Sequence, residues 1–391
     1  MSFDFDKLTD RRSTGSLKYD FAAPRGRPKD VLPLWVADMD FPTAPCVQEA
    51  LQKAVAHGIF GYSEPLKPYF DALLGWFSRQ HGYEAKEEWV IKTPGVVFAL
   101  AAAVRALTQP EDGILIFTPV YYPFYEVIRD NGRTLVESPL QYRDGRYTIN
   151  LDDMEQKIQA GNVKLLLFCS PHNPVGRVWT RTELEQVAAL CKKYDLLVVS
   201  DEIHCDFTWP GNTHIVFPAV SEDMAQRTIL CTAPTKTFNL AGLQISNIFI
   251  ENPRLRQKFQ DEVTRAGYSQ APGLGLIACQ AAYAGGEAWL EELKAYLVSN
   301  LDYLRNADLP GIRLVEPEGT YLCWLDCSGL GLSAKELEDL VLYKANLWLD
   351  GGRMFGEASA QFQRVNIACP RATLRQAVSQ LRQAICTLSV R

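Results

Sequence analysis

From about residue 90 onward, short runs of almost unbroken apolar residues recur along this chain, at 89–92, 113–117, 163–169, 196–200, 228–231 and 245–250. A strand with one wet face alternates apolar and polar side chains, and these runs do not. They need cover on both faces, which mostly parallel sheets obtain from their crossover helices. The stretches between them carry helix signals. Thr180-Arg-Thr-Glu183 reads as a capping box, and Leu184, Val187, Ala188 and Cys191 follow on one face. This alternation predicts an α/β fold, with a three-layer αβα large domain around a mostly parallel sheet.

The texture changes after about residue 285. Leu290, Leu293, Leu297, Leu301 and Leu304 recur at helical spacing, which predicts a long helix over 287–305. Residues 312–315 and 320–325 read as strands of a second sheet, and Ser333-Ala-Lys-Glu336 and Thr373-Leu-Arg-Gln376 as capping boxes. A smaller α+β domain is expected over 286–391 and the large domain over 51–285. Residues 1–50 lack regular periodicity and are expected to pack between the two and complete the small one.

With 391 residues the chain can bury one large core and a smaller one. A net charge of −6 with no basic cluster argues against nucleic acid as a partner. No run of eighteen apolar residues is present, so no membrane span is expected. The start, Met1-Ser-Phe-Asp-Phe-Asp-Lys7, has neither a basic region nor an apolar one and does not read as a secretory leader, which favours the cytoplasm. The ten cysteines form no Cys-x-x-Cys pair, and the five histidines show no ligand spacing, so no metal is expected.

One lysine stands out. Lys236 follows the apolar run 228–232 and precedes a polar, glycine-containing turn. An ammonium at the mouth of a buried strand must be paired or lose its proton. Asn173 and Asp201 stand at the ends of two preceding apolar runs, each gap being about one βα unit, so all three can project into one crevice at the strand C-terminal ends. Separately, each has an ordinary reading as a turn residue, a helix cap or a solvated charge. Together they are what pyridoxal 5′-phosphate (PLP) needs: a lysine for an imine, an acid facing the ring nitrogen, and a donor for the ring hydroxyl.

The chain resembles fold-type I PLP enzymes of the class I/II aminotransferase superfamily, and within it the MalY/PatB-type cystathionine β-lyase branch. The resemblance rests on Leu34-Trp-Val-Ala-Asp-Met-Asp-Phe-Pro42, Ser170-Pro-His-Asn-Pro-Val-Gly-Arg-Val-Trp179, Ser200-Asp-Glu-Ile-His204, Ala233-Pro-Thr-Lys-Thr-Phe-Asn-Leu-Ala-Gly-Leu243 and Arg364-Val-Asn-Ile-Ala-Cys-Pro-Arg371. It implies a C–S β-lyase that releases thiol, pyruvate and ammonia. It also implies that Val96 and Val97 open a helix toward the phosphate, that Tyr121 stacks on the ring, and that His204 lies beside the cofactor. Arg364 would clamp the substrate carboxylate, with Val36, Ala37 and Asp38 lining that pocket, while Arg371 reads as a surface residue. Tyr62 resembles a tyrosine that reaches the phosphate from a neighbouring subunit, which implies a homodimer.

Two departures from the common aminotransferase pattern matter. Ala233 replaces a serine three before the lysine, and Gln244 replaces an arginine eight after it. Phosphate binding would then fall more on Thr235, Thr232 and Tyr62, with the role of Gln244 open. An aminotransferase is the alternative, since the same residues could return the proton to the cofactor. A PLP-sensing regulator would carry a helix-turn-helix reader, and residues 1–90 show neither a basic cluster nor paired helical periodicity.

Overall fold

A computed structural model describes residues 3–388; Met1 and Ser2, where the reading of the N-terminus begins, lie outside the described residues. Its centre is a seven-stranded sheet made of β1 (Val90–Thr93), β2 (Gly113–Thr118), β3 (Thr134–Pro139), β4 (Val163–Cys169), β5 (Leu197–Asp201), β6 (Thr228–Thr232) and β7 (Ser246–Phe249). The spatial order is β1-β7-β6-β5-β4-β2-β3. Neighbours run parallel except at β7, which is antiparallel to both β1 and β6. Every residue of β2 and β6 is buried, as unbroken apolar runs require.

Six of these strands coincide with the apolar runs. The seventh, β3, lies at the sheet edge and has exposed ends. An edge strand can keep one face wet, so it lacks the continuous apolar run that marks its neighbours.

The helices used below are α1 (Pro45–His57), α2 (Lys67–His81), α3 (Val96–Leu107), α4 (Arg181–Lys193), α5 (Gly273–Gly285), α6 (Glu287–Arg305) and α7 (Arg371–Cys386). Both halves of the Thr180–Glu183 capping box are formed at α4. Helix α6 buries Leu290, Leu293, Leu297, Leu301 and Leu304, each worth roughly 1.5–3 kcal/mol when fully buried. The expected box at Thr373 does not form. Pro370 takes the N-cap position, α7 starts at Arg371, and Thr373 sits inside the first turn. With Pro370 as N-cap, α7 starts three residues before the point a cap at Thr373 would set, so the capping-box pattern there is incidental.

The second sheet, β8 (Arg313–Val315), β9 (Leu322–Asp326), β10 (Asp350–Gly351) and β11 (Phe362–Asn366), is antiparallel in the order β8-β9-β11-β10. The N-terminal segment joins this region, since Leu32–Pro33 pairs in parallel with Leu347–Trp348. Further along, Leu34, Met39 and Phe41 are buried in one apolar cluster with residues of α5, α6 and β9. This segment therefore packs against the second sheet's β9 and against helices α5 and α6. No helix among the described residues is long and apolar enough to cross a membrane.

Candidate active site

The C-terminal ends of the parallel strands open into a chamber of about 150 Å³, whose wall includes Asn173, Asp201, His204, Thr235 and Lys236. Gly95, Val96, Val97, Tyr121 and Gln244 complete much of the rest. Helix α3 starts here with no side chain capping it, so its first N–H groups remain available to an anion.

Lys236 sits on a one-turn helix, Pro234–Thr237, just past β6, and its Nζ donates to Ala37 O at 2.7 Å. Burial pushes its pKa down to about 8; Asp38 and Asp201 pull upward and Arg364 pushes further down. Asp201 ends β5 in the buried interior and accepts a hydrogen bond from Ile203 N–H at 3.2 Å. Burial raises its pKa to about 7 against the pull of that bond, and neighbouring Glu202 adds to the rise. His204 is driven down to about 3 by burial, reinforced by Lys236 and Arg364, so it is neutral. Its Nδ1 is buried without a partner.

Arg364 on β11 donates from Nη1 to Asn173 Oδ1 at 2.9 Å and from Nη2 to Trp35 O at 3.0 Å. The same guanidinium pairs with Asp350 on β10. Arg364 is therefore buried beside Asn173, behind the chamber wall, and its Nε has no partner. Of the three N-terminal residues expected here, Ala37 stands on the wall. The carbonyls of Val36 and Asp38 are bound by Asn366 Nδ2, at 2.7 and 2.6 Å, and the Asp38 carboxylate is held by Arg11.

Other expectations change. Thr232 donates its hydroxyl to Asn247 O within the sheet, so it is not free for a phosphate. Arg371 is not a free surface cation but bonds Asn300 and Ser299 on α6. Tyr62, expected to act in a neighbouring subunit's site, is 94% exposed and lines an open groove of about 670 Å³. That groove meets the chamber at Gln244, which borders both.

Several contributors carry no local sequence signal. Asn239, in the left-handed region at φ 57°, accepts from Met39 N and donates to Met39 O and Phe41 O. It thereby fastens the lysine turn to the N-terminal segment. Beneath that segment Lys18 is fully buried, 2.9 Å from Asp40 and 3.6 Å from Asp38, and Arg11 pairs with both acids. Buried charges need such partners. The pairing of the Asn239 amide with the Trp-Val-Ala-Asp-Met-Asp stretch explains why both motifs are needed, but only folding brings them together.

The donor set fits a PLP-sized group. It offers an amine, a desolvated acid that a cationic ring nitrogen would relieve, and an uncapped helix end for a phosphate. The aminotransferase class I and II family model matches residues 29–381. Cystathionine β-lyase PatB of Bacillus subtilis (strain 168) is 39% identical over 98% of this chain and 100% of its own. The structure of cystalysin from Treponema denticola, which contains pyridoxal 5′-phosphate, superposes with a TM-score of 0.95 at 37% identity, covering 99% of this chain and 100% of that one. The PLP-bound C–S lyase from Staphylococcus hominis gives 0.92 at 32% identity over 98% of each chain. The chain belongs to the class I and II aminotransferase family, in its MalY/PatB-type cystathionine β-lyase branch.

Proposed function

We infer that this protein is a PLP-dependent C–S β-lyase, acting on cystathionine or a related cysteine S-conjugate and releasing thiol, pyruvate and ammonia. The observation that carries the chemistry is the meeting of Lys236, Asp201 and Asn173 in one chamber beside the open N-terminus of α3. Relatives named as cystathionine β-lyase and C–S lyase support the choice of reaction. Gln244 and Ala233, at the positions where aminotransferases often carry arginine and serine, point the same way.

When bound, PLP withdraws electrons from Cα of an attached amino acid and so acidifies its proton. Lys236 would hold the cofactor and, as a free amine, would be the base that takes that proton. Its lowered pKa puts a useful fraction of neutral amine near neutrality. Asp201 would hold the proton of the ring nitrogen, and Asn173 would offer its amide NH₂ to the ring hydroxyl. Tyr121 would cover the ring face, His204 would pack beside it as a neutral group, and the N–H groups of Val96 and Val97, with Thr235, would receive the phosphate. Arg364, whose Nε is left without a partner, would supply the charge that takes the substrate carboxylate, beside the segment Val36, Ala37 and Asp38. With the proton gone from Cα, the Cβ–S bond breaks, sulfur leaves as thiolate, and the remaining fragment hydrolyses to pyruvate and ammonia.

The active unit is a homodimer in which Tyr62 serves the neighbouring phosphate. Its exposure, together with that of Ile59 and Phe60 along the same groove, supports this. The cytoplasm is the proposed setting and sulfur amino-acid metabolism the proposed role; ten free thiols suit a reducing compartment. We divide the chain at 50 and 285, with the large cofactor domain between and the small domain after. The deciding assay incubates the protein with cystathionine, cysteine and an S-alkyl cysteine and measures pyruvate and free thiol. Keto acid formed only in the presence of an amino-group acceptor, with no pyruvate, would establish an aminotransferase instead.

A further inference from the structure

Two donors converge on one half-buried acceptor. Lys236 Nζ and the Tyr321 hydroxyl both donate to the carbonyl oxygen of Ala37, at 2.7 and 3.2 Å. The carbonyl is fixed from both sides, because Asn366 Nδ2 holds the carbonyls of Val36 and Asp38. Tyr321 is fully buried, edge-on to Phe207 at 4.9 Å and to His204 at 5.9 Å. Asn366 lies in the Arg364–Arg371 motif, whereas Tyr321 belongs to none of the quoted motifs.

We propose that Tyr321 is a positioning residue that limits how strongly the Ala37 carbonyl holds the free amine of Lys236 during turnover. The inference rests on Lys236 being the base. A carbonyl oxygen has two lone pairs, and a hydroxyl bound to one of them makes the oxygen a poorer acceptor for a second donor. An ammonium gains more from such a bond than a neutral amine does, so a strong acceptor would keep the lysine protonated and idle. By occupying part of the acceptor, Tyr321 favours the neutral amine, while the 2.7 Å contact still aims it. Asp38, Asp201 and Arg364 face Lys236 as well; Asp38 and Arg364 also face Tyr321. Those charges are unchanged when only the phenol is altered.

The test compares two holoenzymes with the parent. In Tyr321→Phe the acidic limb of the kcat–pH profile should move upward by about half to one pH unit. The pH midpoint of the bound cofactor's absorbance without substrate should stay in place, because the lysine is then tied to the cofactor and not resting on Ala37. Replacing Tyr321 by 3-fluorotyrosine, a stronger donor of nearly the same shape, should move the acidic limb downward and keeps the test open should the phenylalanine variant not fold. A limb that stays put in either folded variant, one that moves the same way in both, or an equal displacement of the substrate-free midpoint overturns the proposal. Turnover surviving in Lys236→Ala would instead remove the base assignment on which the proposal stands.

Discussion

Arg364 on β11 donates to Asn173 beyond the end of β4 at 2.9 Å, joining the four-stranded sheet to the seven-stranded one at the chamber wall. The bond consumes the amide oxygen of Asn173 and leaves its NH₂ as the donor. It also means that the group expected to grip the substrate and the group expected to meet the cofactor are set by a single contact.

A change to Arg364 should therefore be felt in substrate binding before cofactor binding. A lysine in place of this arginine would be a point charge that cannot serve Asn173, Asp350 and Trp35 O together. We expect Arg364→Lys to lower kcat/KM by roughly 10–100-fold, mostly through KM, as loss of a charged hydrogen bond implies. Steady-state kinetics alongside the cofactor absorbance spectrum check this; an unchanged KM would hand the carboxylate to another residue.

Asp201 makes the cofactor-free protein pH-sensitive. Its folded pKa is raised from 3.8 to about 7, so between those values the native state binds more protons than the unfolded one. Stability attributable to this group then falls as pH rises through that window, and the cost is fully present above it. Asp201→Asn should raise the melting temperature of cofactor-free protein at pH 8 relative to the parent, with the gain vanishing near pH 4. The same variant should lose most turnover, since a neutral amide cannot hold the ring nitrogen's proton. Thermal melts across pH and a rate measurement together separate the two effects.

The buried lysine under the N-terminal segment depends on its acids. Asp40→Ala would leave Lys18 with only Asp38, 3.6 Å away, and strip a partner from Arg11. Breaking a buried pair in this way costs about 3–5 kcal/mol. Chemical denaturation should show that loss. Lys18→Met with Asp40→Leu should recover part of it, because removing both charges removes the unpaired one.

Shared sites can be detected by mixing. If Tyr62 acts on a neighbour's phosphate, Tyr62→Ala and Lys236→Ala proteins, each impaired alone, form mixed dimers with one intact site. Random exchange of subunits should restore about a quarter of parental activity. No recovery after verified exchange would place Tyr62 outside the neighbouring site.

Much of this was legible beforehand for a definite reason. Almost unbroken apolar runs such as those of β2 and β4 need cover on both faces, and Lys236, Asp201 and Asn173 follow such runs in the chain. The edge strand β3 escaped because an edge needs no continuous apolar run. The false capping box at Thr373 arose because the pattern matched while Pro370 set the helix start locally.

By itself, then, the sequence determined the layered α/β architecture, the chemical class of the cofactor and the family. The architecture and the cofactor class follow from residue type, periodicity and spacing, and the family from the motifs it resembles, all of which are one-dimensional. Only the tertiary structure decided that Thr232 is used within the sheet, that Arg364 reaches the chamber through Asn173, and that Lys236 and Tyr321 share the Ala37 carbonyl. Those contacts join residues far apart in the chain, and direction and distance at that range are fixed by packing alone.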